Sequence, residues 1–114
     1  MKLFIAGSRS ITDFDLEPYI PNGTNTIISG GAEGIDAIAE EYADRKKLSK
    51  IILQPEYEKY GRRAPIMRNR QMASECDEGL VIWDGKSKGT LNSVNELTKA
   101  AKSYRVVVVK PDID

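Results

Sequence analysis

Short aliphatic runs recur along the chain, separated by stretches in which apolar residues return at helical spacing. Lys2–Ala6, Asn25–Ser29, Ser49–Gln54, Glu78–Trp83 and Arg105–Val109 are such runs and read as strands. Between the second and third, Glu33–Lys46 carries Ile35, Ile38, Ala39, Tyr42 and Ala43 at the i, i+3, i+4, i+7 spacing. That is an amphipathic helix with a charged outer face. Pro65 suits the first turn of a further helix reaching about Ser74. After Thr90, Leu91, Val94, Leu97 and Ala101 mark the inner stripe of another. A short helical segment is expected over Asp13–Tyr19, before Pro21-Asn22-Gly23 breaks the chain, and Glu56–Gly61 reads as a loop holding Tyr57 and Tyr60.

The strand runs are continuously apolar rather than alternating, and helical patterns lie between them. A parallel sheet covered on both faces reads this way. The expected class is α/β, a compact doubly wound (Rossmann-like) five-stranded parallel sheet with helices on both faces. One domain is expected over residues 1–110, with a short tail at 111–114. In such a sheet, ligands collect outside the C-terminal ends of the strands, where the strand order reverses.

Four segments fall at that edge. Ser29-Gly30-Gly31-Ala32-Glu33-Gly34-Ile35-Asp36 joins the second strand to its helix. Glycines turning a strand into a helix direct backbone N–H groups and the helix N-terminus at one point, an arrangement suited to an anion. Asp36 either complements the helix dipole or takes a ribose hydroxyl or the turn's own N–H groups. Gly7-Ser8-Arg9 leaves the first strand with a hydroxyl and a guanidinium fit to meet a phosphate or a base. Arg68-Asn69-Arg70 lies in the third helix, where the three side chains cannot all face one way. Asn69 is a poor helix-interior residue unless it has hydrogen bonds to make. Asp84-Gly85-Lys86-Ser87-Lys88-Gly89-Thr90 offers hydroxyls, lysines and a helix start, without the order of a Walker A loop. Trp83 precedes it, either in the core or at the rim of the pocket.

Composition narrows the chemistry. The 17 basic and 17 acidic residues balance, so net charge favours no polyanionic partner. Histidine is absent and Cys76 is the one cysteine, which argues against a metal site, a disulfide or a Ser-His-Asp mechanism. No apolar segment approaches the roughly 20 residues that span a bilayer, and the first run is too short for a signal peptide. An intracellular (cytoplasmic) protein without membrane association is expected. Asp36, Glu75, Asp77 and Asp84 are the carboxylates expected near the rim, none paired at a spacing that compels catalysis.

These segments, with Gln71-Met72 and Trp83 adjoining them, resemble the small Rossmann-like domains that join the lonely-guy-type phosphoribohydrolases to the DNA-processing protein A group. The likeness extends to their short single-domain SLOG-type relatives. It implies a ligand that is a nucleotide or is derived from one, and self-association as a dimer or higher oligomer. In the phosphoribohydrolases the corresponding loop ends Gly-Thr-x-x-Glu, and its glutamate works with a helix arginine. Gly89 and Thr90 match, Arg70 is the counterpart of the arginine, and Ser93 stands where the glutamate would be. A hydroxyl cannot stabilise positive charge on a ribosyl carbon as a carboxylate does.

The leading expectation is therefore binding or sensing of a nucleotide or nucleotide-derived phosphate, with no cofactor required. Its contacts would be Gly7, Ser8, Arg9, Ser29, Gly30, Gly31, Ala32, Gly34, Asp36, Arg68, Asn69, Arg70, Asp84, Gly85, Ser87, Lys88, Gly89 and Thr90. An N-glycosidic hydrolase or transferase, using Arg70, Asp36 or Asp84, is the alternative. Single-stranded nucleic-acid binding through Arg9, Arg68, Arg70, Lys86 and Lys88 is disfavoured by the balanced charge.

Overall fold

The computed structural model describes residues 1–110, and the tail expected at 111–114 lies outside them. Five strands, β1 (Lys2–Gly7), β2 (Thr26–Ser29), β3 (Ser49–Ile52), β4 (Glu78–Trp83) and β5 (Ser103–Val108), form one sheet in the order β3-β2-β1-β4-β5. All four pairings are parallel. The helices α1 (Ile35–Arg45), α2 (Tyr57–Tyr60), α3 (Ala64–Glu75) and α4 (Lys88–Lys99) complete a Rossmann-like, doubly wound α/β fold with helices on both faces.

The most apolar strands, β1 and β4, lie side by side at the centre. Leu3, Ile5, Ile27, Leu80 and Ile82 point to one face, where Ile35, Ala39, Tyr42 and Ala43 of α1 meet them with Ile11 and Leu16. Phe4, Ala6, Ile28 and Val81 point to the other, beneath Met72, Ala73 and Cys76 of the α3 end and Leu97 of α4. Each large aliphatic side chain buried this way contributes about 1.5–3 kcal/mol relative to exposure. The α1 stripe follows its expected spacing, although Ile38 is only partly buried.

Departures from the sequence pattern have local causes. The segment before β2 is helical only as a 3₁₀ turn at Glu17–Tyr19, because Pro18 and Pro21 leave no room for a longer helix. Residues 57–60 form a single helical turn rather than a loop, and Tyr57 is exposed. The inner stripe of α4 is Thr90, Ser93, Glu96 and Leu97, while Leu91 is 43% exposed. A period read from apolar residues alone misses a helix face that is buried against polar neighbours. Because α4 packs chiefly over β4, the β5 side chains Tyr104, Val106 and Val108 remain partly exposed, so helices do not cover that edge completely.

Ala101 lies beyond α4 with φ 57°, its N–H donating to Thr98 and the next N–H, of Lys102, to Leu97. This is a Schellman cap built on alanine instead of glycine. The left-handed region costs a non-glycine residue roughly 1–2 kcal/mol, offset in part by the greater unfolded-state entropy of glycine. Ala101→Gly is therefore expected to stabilise the fold by about 0.5–1 kcal/mol in urea denaturation. A variant less stable than wild type would contradict this account of the cap.

Candidate functional site

Parallel strands place all their C-terminal ends on one edge, and the loops after β1, β2 and β4 meet there around Ser8. Ser8 is buried, and its N–H donates to the Ile82 carbonyl at 3.1 Å. Its carbonyl accepts from Ile11 and Ile35, and its hydroxyl accepts from the Asp84 N–H at 3.0 Å. The hydroxyl also lies 3.4 Å from Thr90 Oγ1. One short residue thus ties the β1 turn to α1, to the β4 loop and to α4. Gly34 makes the same junction possible from the other side. With φ +70°, it sits so close that a Cβ would fall within 2.6 Å of Ser8 O and Arg9.

A cavity of about 390 Å³ opens between these loops and α3. Gly7, Arg9, Ala32, Asp36, Arg68, Asn69, Asp84, Ser87, Gly89 and Thr90, all among the expected contacts, line it. Ser10, Pro65, Met72 and Ser93 also line it. Of these, Ser10 was legible only as the residue after Gly7-Ser8-Arg9. Ser8, Ser29, Gly30, Gly31, Gly34, Arg70, Gly85 and Lys88 do not line it.

The reasons are specific. In the β2 turn three of the N–H groups are spent within the protein. Gly31 donates to Ser29 Oγ at 3.3 Å, Ala32 to Asp36 Oδ2 at 3.2 Å and Ile35 to Ser8 O at 3.4 Å. The turn read as an anion cradle is thus occupied by its own carboxylate. The α4 end is more open. Ser87 caps it by accepting from the Thr90 N–H, whereas Lys88 and Gly89 in the first turn have no intrahelical acceptor. Among the described residues, no atom beyond the adjoining helix backbone lies within 4 Å of where a Cβ on Gly89 would be.

The two helix arginines face opposite ways. Arg68 turns inward, with Nη1 donating to Gly30 O at 2.8 Å and more weakly to Leu53 O at 3.4 Å. Its Nε donates to Asn69 Oδ1 at 3.1 Å. Arg70 turns toward α4 and meets Glu96 at 3.2 Å. Glu96 is 3% exposed, and a carboxylate that deep requires a cation beside it. The arginine that resemblance assigns to catalysis is therefore held outside the cavity.

The carboxylates also separate. Asp84 Oδ2 accepts from the Ser10 hydroxyl at 2.7 Å, and Oδ1 accepts from the Lys86 and Ser87 N–H groups, each at 2.8 Å. The Ser10 hydroxyl foremost, with these two N–H groups, holds its pKa down to about 2. Such a group is a loop staple, unsuited to proton transfer near neutral pH. Asp36 differs. Burial raises its pKa, opposed by the Ala32 N–H and by Arg68 and Arg9. Its Oδ1 accepts no hydrogen bond among the described residues.

Glu75 and Asp77 belong to the opposite edge, since α3 runs back against the strands and ends near their starts. There the Lys2 N–H donates to Asp77 at 2.7 Å. Trp83 does not line the cavity, and its indole N–H donates to Ser87 O at 3.0 Å, bracing the β4 loop. A second hollow, of about 450 Å³, lies at the strand-start edge and offers only Arg105 as a cation. That guanidinium stacks on Tyr19 at 4.9 Å. Among the described residues no cluster of metal-ligating side chains occurs and no helix is long and apolar enough to cross a membrane. No protein-family model, curated protein or solved structure matches the chain.

The raised pKa of Asp36 has a thermodynamic consequence. Unfolded, the carboxyl titrates near pH 4. The fold holds its proton to higher pH, so this group's contribution to stability declines as pH rises from below about 4 through the raised value. Asp36→Asn retains an acceptor for Ala32 and removes that decline. Urea midpoints across this range should therefore shift progressively in favour of the variant as pH increases. Parallel pH profiles would show that Asp36 ionises as readily in the fold as in the unfolded chain.

Proposed function

We propose that this chain binds or senses a nucleotide or a nucleotide-derived phosphate ligand at the C-terminal edge of its sheet. The observation that carries the reading is convergence on one cavity. The guanidiniums of Arg9 and Arg68 line it together with the first turn of α4, where N–H groups lack acceptors. Phosphate suits that combination, because a guanidinium supplies paired donors and a helix start supplies N–H groups and favourable dipole. Asp36 lines the same cavity with a carboxylate oxygen that has no partner among the described residues, an acceptor for a sugar hydroxyl. The volume of about 390 Å³ falls within the range of small-molecule pockets. The resemblance to SLOG-type domains points the same way.

A thermal-shift and calorimetric panel of AMP, GMP, CMP, UMP, ribose 5-phosphate and inorganic phosphate tests the proposal. At least one phosphate ester is expected to stabilise the protein at millimolar concentration. Arg68→Gln is expected to weaken that binding roughly 10–100-fold, as when a charged hydrogen bond of about 1.5–3 kcal/mol is lost. Failure of every member to stabilise the protein would refute it.

Cleavage at an N-glycosidic bond is a second reading, favoured by Asp36 alone. Ser93 offers no carboxylate, and its hydroxyl donates to Gly89 O at 3.4 Å. If Asp36 serves as an acid, incubation with nucleoside monophosphates should release free base, and Asp36→Asn should abolish the release. Chromatography showing no free base would eliminate this reading while leaving the binding proposal intact.

A further inference from the structure

Arg68 points into the cavity through a chain of amides that reaches α4. A guanidinium N–H can only donate, so Arg68 Nε requires an oxygen, and Asn69 Oδ1 supplies it at 3.1 Å. This orientation commits the Asn69 NH₂ to the opposite side. There Nδ2 donates to Asn92 Oδ1 at 2.9 Å. Asn69 is 6% exposed, so its amide must find partners within the protein. Asn92 lies on α4, 4 residues past the first residue of the helix and on the helix whose first turn borders the cavity.

We infer that Asn92 is a positioning residue: by fixing the Asn69 amide, it sets the direction in which the Arg68 guanidinium enters the cavity. Contacts with two further oxygens bound the guanidinium. Nη1 donates to Gly30 O and Leu53 O, and a Cβ on Gly30 would lie 2.7 Å from Nη1. Glycine there lets the guanidinium rest against the backbone. Nη2 has no hydrogen bond among the described residues, which leaves it for a ligand oxygen. The step from orientation to affinity rests on the phosphate-binding reading above. It also makes the cavity cooperative in construction, since α4 offers its N–H groups and, through Asn92, aims the arginine opposite them.

Two measurements test the inference, the first without any ligand. In ¹H–¹⁵N NMR spectra of the whole chain, the Arg68 Nε–H signal should be slow to exchange in wild type and in Asn92→Asp, which keeps the acceptor. It should broaden or exchange rapidly in Asn92→Ala. The second is a double-mutant cycle read by AMP affinity. Asn92→Ala is expected to weaken AMP binding about 3–10-fold in the wild-type background, and by less than about 1.5-fold when Arg68 is already glutamine. An equal loss in both backgrounds, or an unchanged Nε signal in Asn92→Ala, would overturn the inference. If wild type binds neither AMP nor any other phosphate ester of the panel while the Nε signals behave as expected, the positioning role stands and the ligand reading falls.

Discussion

The site depends on the close approach of the β1 and β2 turns at Ser8 and Gly34. Ser8 is the node: its N–H, carbonyl and hydroxyl reach β4, α1 and the β4 loop respectively. Its side chain is small enough to be buried at this crossing, and each of its buried polar groups finds a partner. Gly34 faces it without a Cβ, in a backbone conformation that other residues rarely adopt. A larger group at either position would separate the loops that form the cavity walls. Ser8 and Gly34, absent from the cavity lining, therefore act on the site through its architecture.

Charge economy then determines which ionic groups remain for a ligand. Glu96 is buried between α3 and α4 and draws Arg70 to itself, with Lys99 at 3.8 Å. Asp84 is consumed by the Ser10 hydroxyl and two backbone N–H groups. Arg68 is held at three oxygens yet, among the described residues, Nη2 and one Asp36 oxygen have no hydrogen-bond partner. Of the two carboxylates that line the cavity and the two candidate helix arginines, one of each is structural. The remaining pair, with exposed Arg9 and the ionised Asp84, sets the electrostatics of the cavity.

The glycine-rich stretch after β2 illustrates how a correct motif can have a different use. Its glycines do produce a sharp strand-to-helix turn, but the Gly31 and Ala32 N–H groups fold back onto Ser29 and Asp36. Self-capping of this kind rigidifies the turn, and the first turn of α4 adds N–H groups that have no intrahelical acceptor. The proposed phosphate position is therefore on α4, with the β2 turn supplying Asp36 beside it.

Much of the fold was legible because strand and helix periods are local properties. Continuous aliphatic runs such as Leu80-Val81-Ile82 and the α1 stripe from Ile35 to Ala43 require only neighbours along the chain. They determined a parallel sheet with helices between its strands, and hence which loops share an edge. The inner face of α4 was legible only at Val94 and Leu97, since Ser93 and Glu96 look like solvent residues until α3 lies against them. The same holds for the arginines. Spacing along α3 established that Arg68 and Arg70 diverge. Only Glu96, 26 residues away on another helix, decided which one turned from the cavity, because a buried carboxylate must be neutralised by whatever cation the packing brings near.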